Sequence, residues 1–200
     1  MEIDQPILDI EEKTEYTDAV HAIIGRALIV ATHYENLIKQ LAITLSVQDV
    51  YDADGYVPEV FFPKILERME AINDQTLDKK LKSMGLIKRN RKKDTVSGKI
   101  FREAKDARND IAHNIGLNLI YDSRAYEGVI GKLSNDVTSI VKGIGQATLV
   151  LELLATSRRV MFDLNGYQSK LYQWVMEDES EVGITFIPES FSADNTNSAH

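Results

Sequence analysis

Two hundred residues, 44% apolar and 27% charged with a net charge of −8, have the balance of an ordinary globular domain with decorated ends. The absence of cysteine excludes disulfides, thiolate metal sites, iron–sulfur clusters and cysteine nucleophiles. The acidic start, Met1–Ile10, lacks the basic residues and apolar run of a signal peptide, and no uncharged apolar stretch approaches the roughly 20 residues of a membrane span, so a cytoplasmic protein with no membrane partner is expected.

Residues 1–14 have no clean period, and 1–16 read as an acidic arm; over residues 1–18 seven acids face Lys13 alone. From Val20 the positions Ile23, Ile24, Ala27, Leu28, Ala31, Tyr34, Ile38, Leu41 and Leu45 keep helical spacing. They predict a long helix over about residues 17–46, capped by Asp18 or Thr17, with one stripe on a core. Asp49, Asp52, Asp54, Gly55 and Pro58 mark residues 48–60 as a loop. Pro63 suits a first helical turn, and Ile65, Leu66, Met69 and Ile72 give a short helix to about Asn73. Thr76 caps another through Leu77, Leu81 and Met84, stopped by Gly85.

Residues 88–93, KRNRKK, hold five bases in six positions. Asp94 or Thr95 opens the next helix, whose stripe Ile100, Ala104, Ala107, Ile111 and Ile115 ends at Gly116. Leu117–Tyr121 is a short strand or an extended loop. Ser134 then caps a helix to about Leu164, with the stripe Val137, Ile140, Val141, Ile144, Thr148, Leu151, Leu154 and Val160. Gly143 and Gly145 each cost about 1 kcal/mol there relative to alanine, which points to close packing or a bend. Gly166 marks a break, and Tyr167–Met176 is a last helix or a continuation. Residues 177–200 carry six acids and no base; the last dozen are expected to be disordered. The economical packing solution is an all-α bundle: an arm over 1–16, a helical domain over 17–176 and an acidic tail over 177–200. Between the acidic ends, residues 19–176 carry 22 bases and 18 acids, so a local basic surface is compatible with the acidic whole.

One segment carries chemistry: Arg108-Asn109-Asp110-Ile111-Ala112-His113, an R-x4-H pattern late in an amphipathic helix. At 100° per residue Arg108 and His113 lie about 140° apart and about 7.5 Å along the axis, so they cannot converge on one spot from a single straight helix. Phe101, Ala112, Lys105 and Asn109 fall between them. A second helix laid along that strip completes the site, and in a homodimer it is the same helix across a two-fold axis. The residue types suit metal-free RNA cleavage. Histidine titrates near neutral pH and can move protons, and arginine presents a planar, permanently charged fork to phosphate. Asn109, one turn before His113, can orient the imidazole or donate to phosphate.

The segment resembles the HEPN superfamily (higher eukaryotes and prokaryotes nucleotide-binding), whose usual signature is R-x4–6-H near a helix end, often with a polar residue after the arginine. The resemblance covers roughly residues 17–165 and implies an HEPN-like bundle with long first, motif and closing helices. It implies an endoribonuclease, a toxin or antiviral effector, with a composite site at a homodimer interface. The implied products are a 2′,3′-cyclic phosphate and a 5′-hydroxyl. It also implies an acid on the first helix that supports the motif arginine, for which Glu35 is the candidate and His33 a weaker one. Catalytic candidates are therefore Arg108 and His113, assisted by Asn109 and Glu35. Lys88, Arg89, Arg91, Lys92, Lys93 and Lys105 are candidate RNA contacts. Some toxin members carry a tyrosine two residues after the histidine that a partner antitoxin modifies. Ile115 stands there, so an antitoxin or regulatory partner would have to act otherwise. The acidic ends could also cover the basic groove in cis.

Other readings stay open. Arg108 and His113 are also compatible with a surface cation and a favourable charge at a helix end, and the same domain could bind RNA, a nucleotide or a protein without cutting. Asp18/His21 and Asp110/His113 are D-x-x-H pairs of the kind that ligate metal, but well-placed buried glutamates are lacking beyond Glu35 and Glu152. No metal and no cofactor are expected; P-loop, G-x-G-x-x-G and H-E-x-x-H motifs do not occur. Tyr51, Tyr56, Phe61 and Phe62 either cover the bundle or stack on bases.

Overall fold

Apolar side chains at helical spacing organise nearly every described part of the chain. A computed structural model describes residues 15–114, 126–155 and 164–176; within them it is all α-helical. The helices are α1 (Glu15–Asp54), α2 (Pro58–Asn73), α3 (Leu77–Ser83), α4 (Val96–His113), α5 (Tyr126–Ala155) and α6 (Leu164–Met176), with a 3-10 turn at Arg91–Lys93. Residues 1–14 of the arm, the tail over 177–200 and Leu117–Tyr121 lie outside the described residues; Glu15 and Tyr16, assigned to the arm, already belong to α1, so neither Thr17 nor Asp18 caps it.

The stripe of α1 is buried as its spacing requires: Val20, Ile23, Ala27, Ala31, Tyr34 and Ile38 join one core with Phe101, Ala104, Ala107 and Ile111 of α4 and Val137, Ile140, Val141 and Ile144 of α5. Gly143 is the point of closest approach. A Cβ there would lie 2.4 Å from Ala104 Cβ and 3.0 Å from Tyr34 Cε2, so the absence of a side chain lets α5 press on α4 and α1 together. The Tyr34 hydroxyl crosses the same contact and donates to Phe101 O at 3.0 Å; burial pushes its pKa above the usual phenol range.

Three expectations need correction. First, α1 does not stop near residue 46. It runs to Asp54, because α2 folds back along it and buries Val50 and Ile72, with Lys64 paired to Asp54 at 2.7 Å. The loop shrinks to residues 55–57, where Gly55 takes φ 67°. The first-turn proline is Pro58, and Pro63 sits inside α2. Second, Ser134 caps nothing. It is buried within α5 and hydrogen-bonds the Tyr172 hydroxyl at 2.8 Å, tying α6 to α5. Third, Gly128–Ala155 is by length and composition long and apolar enough to cross a membrane. Here Val137, Ile140, Val141, Ile144 and Ala147 bury one face of it in the bundle, which is compatible with a soluble fold.

The short elements match their signals. Thr76 accepts from Lys79 N at 3.3 Å and Thr95 from Gly98 N at 3.0 Å. Gly85, at φ 71°, ends α3, and Leu86 N donates to Leu81 O at 3.0 Å. Gly98 admits the Leu86 carbonyl, which would sit 2.7 Å from a Cβ, so residues 84–94 pass close over the first turn of α4.

Candidate functional site

The motif lies on the last two turns of α4, where one face is core and another is solvent. Ala107 and Ile111 point inward. Arg108, at the edge of that face, leans toward α1, where its Nη2 pairs with Glu35 Oε2. Its Nη1 donates to Asn109 Oδ1 at 3.2 Å. The side chains stay 24% (Arg108) and 31% (Glu35) exposed, so the guanidinium is held from two sides and open on the rest. Asn109 thus engages Arg108, not His113. His33 is exposed; Glu35 makes the contact.

A second cation enters from α3. Lys80 is 4% exposed and donates to Gln75 O at 2.5 Å. Burial lowers its pKa; the negative charge of Glu35 opposes the shift and Lys39 adds to it. Glu35 is therefore one acid among Arg108, Lys80 and Lys39, an anion-attracting cluster assembled from α1, α3 and α4. Sequence reading missed Lys80. The available signal was its register: it shares the buried face of α3 with Leu77 and Leu81, where a lysine is out of place unless something polar meets it.

His113 is exposed at the last turn of α4, and Arg108 is turned toward α1; one chain does not bring them together. The strip between them is not open along its whole length. Phe101 is fully buried and Lys105 is 8% exposed, with its ammonium 2.8 Å from Asp106 and 3.4 Å from Asp78. Residues 84–94 and α3 cover that end of α4. Lys105 is thus engaged by carboxylates instead of facing solvent, which corrects its placement among the RNA contacts. Among the described residues of the strip, Asn109, Ala112 and His113 form the exposed surface beside Arg108.

The basic run lies back along α4, where Arg91 Nη2 pairs with Asp106 Oδ2 at 3.1 Å, seven residues and about 10 Å before His113 along the axis. Lys88, Arg89, Arg91, Lys92 and Lys93 are all exposed. Their backbone is pinned from below. Arg102 pairs with Asp94 through Nε, and its Nη2 donates to Lys88 O at 2.6 Å, while Lys88 N donates to Asp94 Oδ1 at 2.7 Å. Hydrogen bonds from Arg102 and from the Lys88 amide hold the Asp94 carboxyl down at about 2. Asn90 Oδ1 accepts from Lys92 N at 3.0 Å and starts the 3-10 turn. Five cations are thus displayed on a fixed loop.

Tyr56, Phe61 and Phe62 touch one another at the tip of the α1–α2 hairpin, with centroids 5.3–6.2 Å apart. Tyr51, Tyr56 and Phe62 are more than half exposed, so these three do not cover the bundle. Among the described residues no three His, Asp or Glu side chains gather in a metal-binding group. No protein-family model, curated protein or solved structure matches the chain.

Proposed function

We propose that the chain is a metal-independent endoribonuclease of HEPN type that acts as a homodimer in the cytoplasm, as a toxin or antiviral effector. The observation that carries this reading is the support given to Arg108. An acid from the first helix and the neighbouring asparagine hold an arginine five residues before an exposed histidine.

The chemistry follows from the side chains. Arg108 uses one nitrogen on Glu35 and one on Asn109; its remaining donors can meet a phosphate oxygen. His113 from the partner copy of α4 takes the proton of the RNA 2′-hydroxyl. That oxygen attacks phosphorus, the 5′-oxygen leaves, and the second His113 returns a proton to it. The products are a 2′,3′-cyclic phosphate and a 5′-hydroxyl. Charge gathering on the phosphate is met by the two Arg108 side chains, and Lys80 and Lys39 add positive potential behind them. The test is RNA cleavage at defined salt by wild type, Arg108→Ala and His113→Ala, with and without EDTA. Wild type should cut with EDTA present and both variants should be silent; full activity in His113→Ala rules out its role.

The basic loop favours a second reading, a non-catalytic module that binds RNA, a nucleotide or a protein. It predicts no turnover, and RNA affinity that falls steeply with salt and weakens when residues 88–93 are neutralised.

A further inference from the structure

Beside the motif, the contact between α4 and α5 holds two carboxyls to which the proposed chemistry gives no task. Asp110, in the last turn of α4, accepts from Asn114 Nδ2 at 2.7 Å and lies 2.5 Å from Lys132 Nζ. Asp136, one turn after Lys132 on α5, meets the Asp110 carboxyl within hydrogen-bonding reach. Oδ2 of each aspartate is shielded from water; that of Asp110 meets the Lys132 ammonium, whereas among the described residues that of Asp136 has no hydrogen-bond donor. Two ionised carboxylates so placed repel each other and leave the buried Asp136 oxygen unsatisfied. One proton removes both faults. A neutral Asp136 donates its O–H to the Asp110 carboxylate, and Lys132 balances the single remaining charge.

We propose that Asp110 and Asp136 hold one proton between them, and that this pair clamps the last turn of α4, with His113 and Asn114, against α5. Asp136 touches no substrate; it is a positioning residue that acts through Asp110. Its effect on RNA cleavage rests on the function proposed above, whereas the clamp itself does not.

The electrostatics agree with the geometry. Burial, then the hydrogen bond and charge of Asp110, push the Asp136 carboxyl up to about 7, against a downward pull from Lys132. Burial acts to raise Asp110 as well, but the hydrogen bonds from Lys132, Asn114 and Asp136 outweigh it and leave that carboxyl below its ordinary value. Lys132 on α5 and Asn114 on α4 face the pair; Asp106 and His113 stand one turn away on either side along α4. Because Asp136 is raised in the folded state, the folded chain holds an extra proton between about pH 4 and pH 7. Stability therefore falls as pH rises across that window and levels off above it, by at most about tenfold in the folding constant per pH unit. Above pH 7 the clamp carries two negative charges and the end of α4 loosens.

The direct test is carbon-13 NMR of the side-chain carboxyls, joined to hydrogen exchange of the amides of residues 110–114. In wild type the Asp136 carboxyl should titrate with a midpoint near 7. Exchange at 110–114, corrected for its intrinsic pH dependence, should quicken as pH passes 7. Asp136→Asn keeps a neutral donor, so it should hold these amides protected at every pH. Asp136→Ala should lose protection at every pH. A midpoint below about 5, or the same pH-dependent exchange in Asp136→Asn as in wild type, overturns the clamp. Cleavage by wild type should also decline above pH 7 more than cleavage by Asp136→Asn. If no RNA is cut at any pH, the proposed function fails, while the titration and exchange still decide the clamp.

Discussion

Arg108 turns part of its guanidinium inward, and that division of labour sets what substitutions should do. The pair with Glu35 is about a quarter exposed on one side and a third on the other, so solvent screening limits it to about 1 kcal/mol of stability. Its value lies in placement. Glu35→Gln should leave the melting temperature nearly unchanged but lower the rate of RNA cleavage, on the order of tenfold to a hundredfold, by letting the fork wander. An equally active Glu35→Gln enzyme would show that the pair does not position Arg108. His113→Ala, at an exposed position off the core, should keep the helical circular dichroism spectrum intact while abolishing cleavage. At this scale the resemblance carried the expectation that Glu35 supports Arg108, and the two pair, whereas Asn109, expected to orient His113 or meet a phosphate, accepts from Arg108. The sequence was unreadable where another element decides exposure. A helical wheel places Lys105 on the strip between Arg108 and His113, but it contains neither Asp78 nor the segment 84–94 that covers that side of α4. Lys80 was missed for the converse reason, since its neighbours Glu35 and Lys39 belong to a helix some forty residues earlier.

The helices meet through few adjustable contacts, and Gly143 is the least adjustable. Gly143→Ala places a methyl 2.4 Å from Ala104 Cβ, and neither neighbour there is the free end of a flexible chain. Overpacking of this kind costs about 1–3 kcal/mol, which exceeds the fraction of a kcal/mol to about 1 kcal/mol that alanine gains over glycine in a helix. Urea denaturation should show net destabilisation; a more stable variant would mean that α5 can move off α4 freely. The basic loop has its own acid-sensitive anchor. Asp94 is depressed to about 2 in the folded chain, so the folded state binds fewer protons there than the unfolded state. The stability it lends is present above pH 4 and lost as pH falls toward 2. Asp94→Asn should flatten that acid limb in a pH series of thermal melts; an unchanged limb would place the anchor elsewhere. Element types were legible along the described helices where the 3.6-residue period was clean. Boundaries failed where partners override local signals. Three aspartates and Gly55 read as a loop from residue 48, yet α2 extends α1 to Asp54. Ser134 looks like a cap until Tyr172, 38 residues on, supplies its partner.

The whole molecule is acidic, yet the features that the proposed function uses are local and positive: an exposed pentad of bases on the loop before α4 and the Arg108–Lys80–Lys39 cluster. Arg91 of the loop pairs with Asp106, two residues before Arg108, so the two features are not a helix length apart. Neutralising Lys88, Arg89, Arg91, Lys92 and Lys93 together should weaken RNA binding and lower the slope of log affinity against log salt by up to about 3.5, if every one meets a phosphate. An unchanged slope would remove the loop from the contact. Symmetry is the claim on which the rest depends, since a single α4 points Arg108 and His113 in different directions. It is tested most directly by mixing wild type with a growing excess of His113→Ala protomers under conditions that let subunits exchange, and measuring RNA cleavage per wild-type chain. A site that needs the histidines of both copies predicts that this activity falls steeply as mixed dimers replace wild-type dimers. If cleavage per wild-type chain stays constant whatever the excess of the variant, the two copies do not share a site.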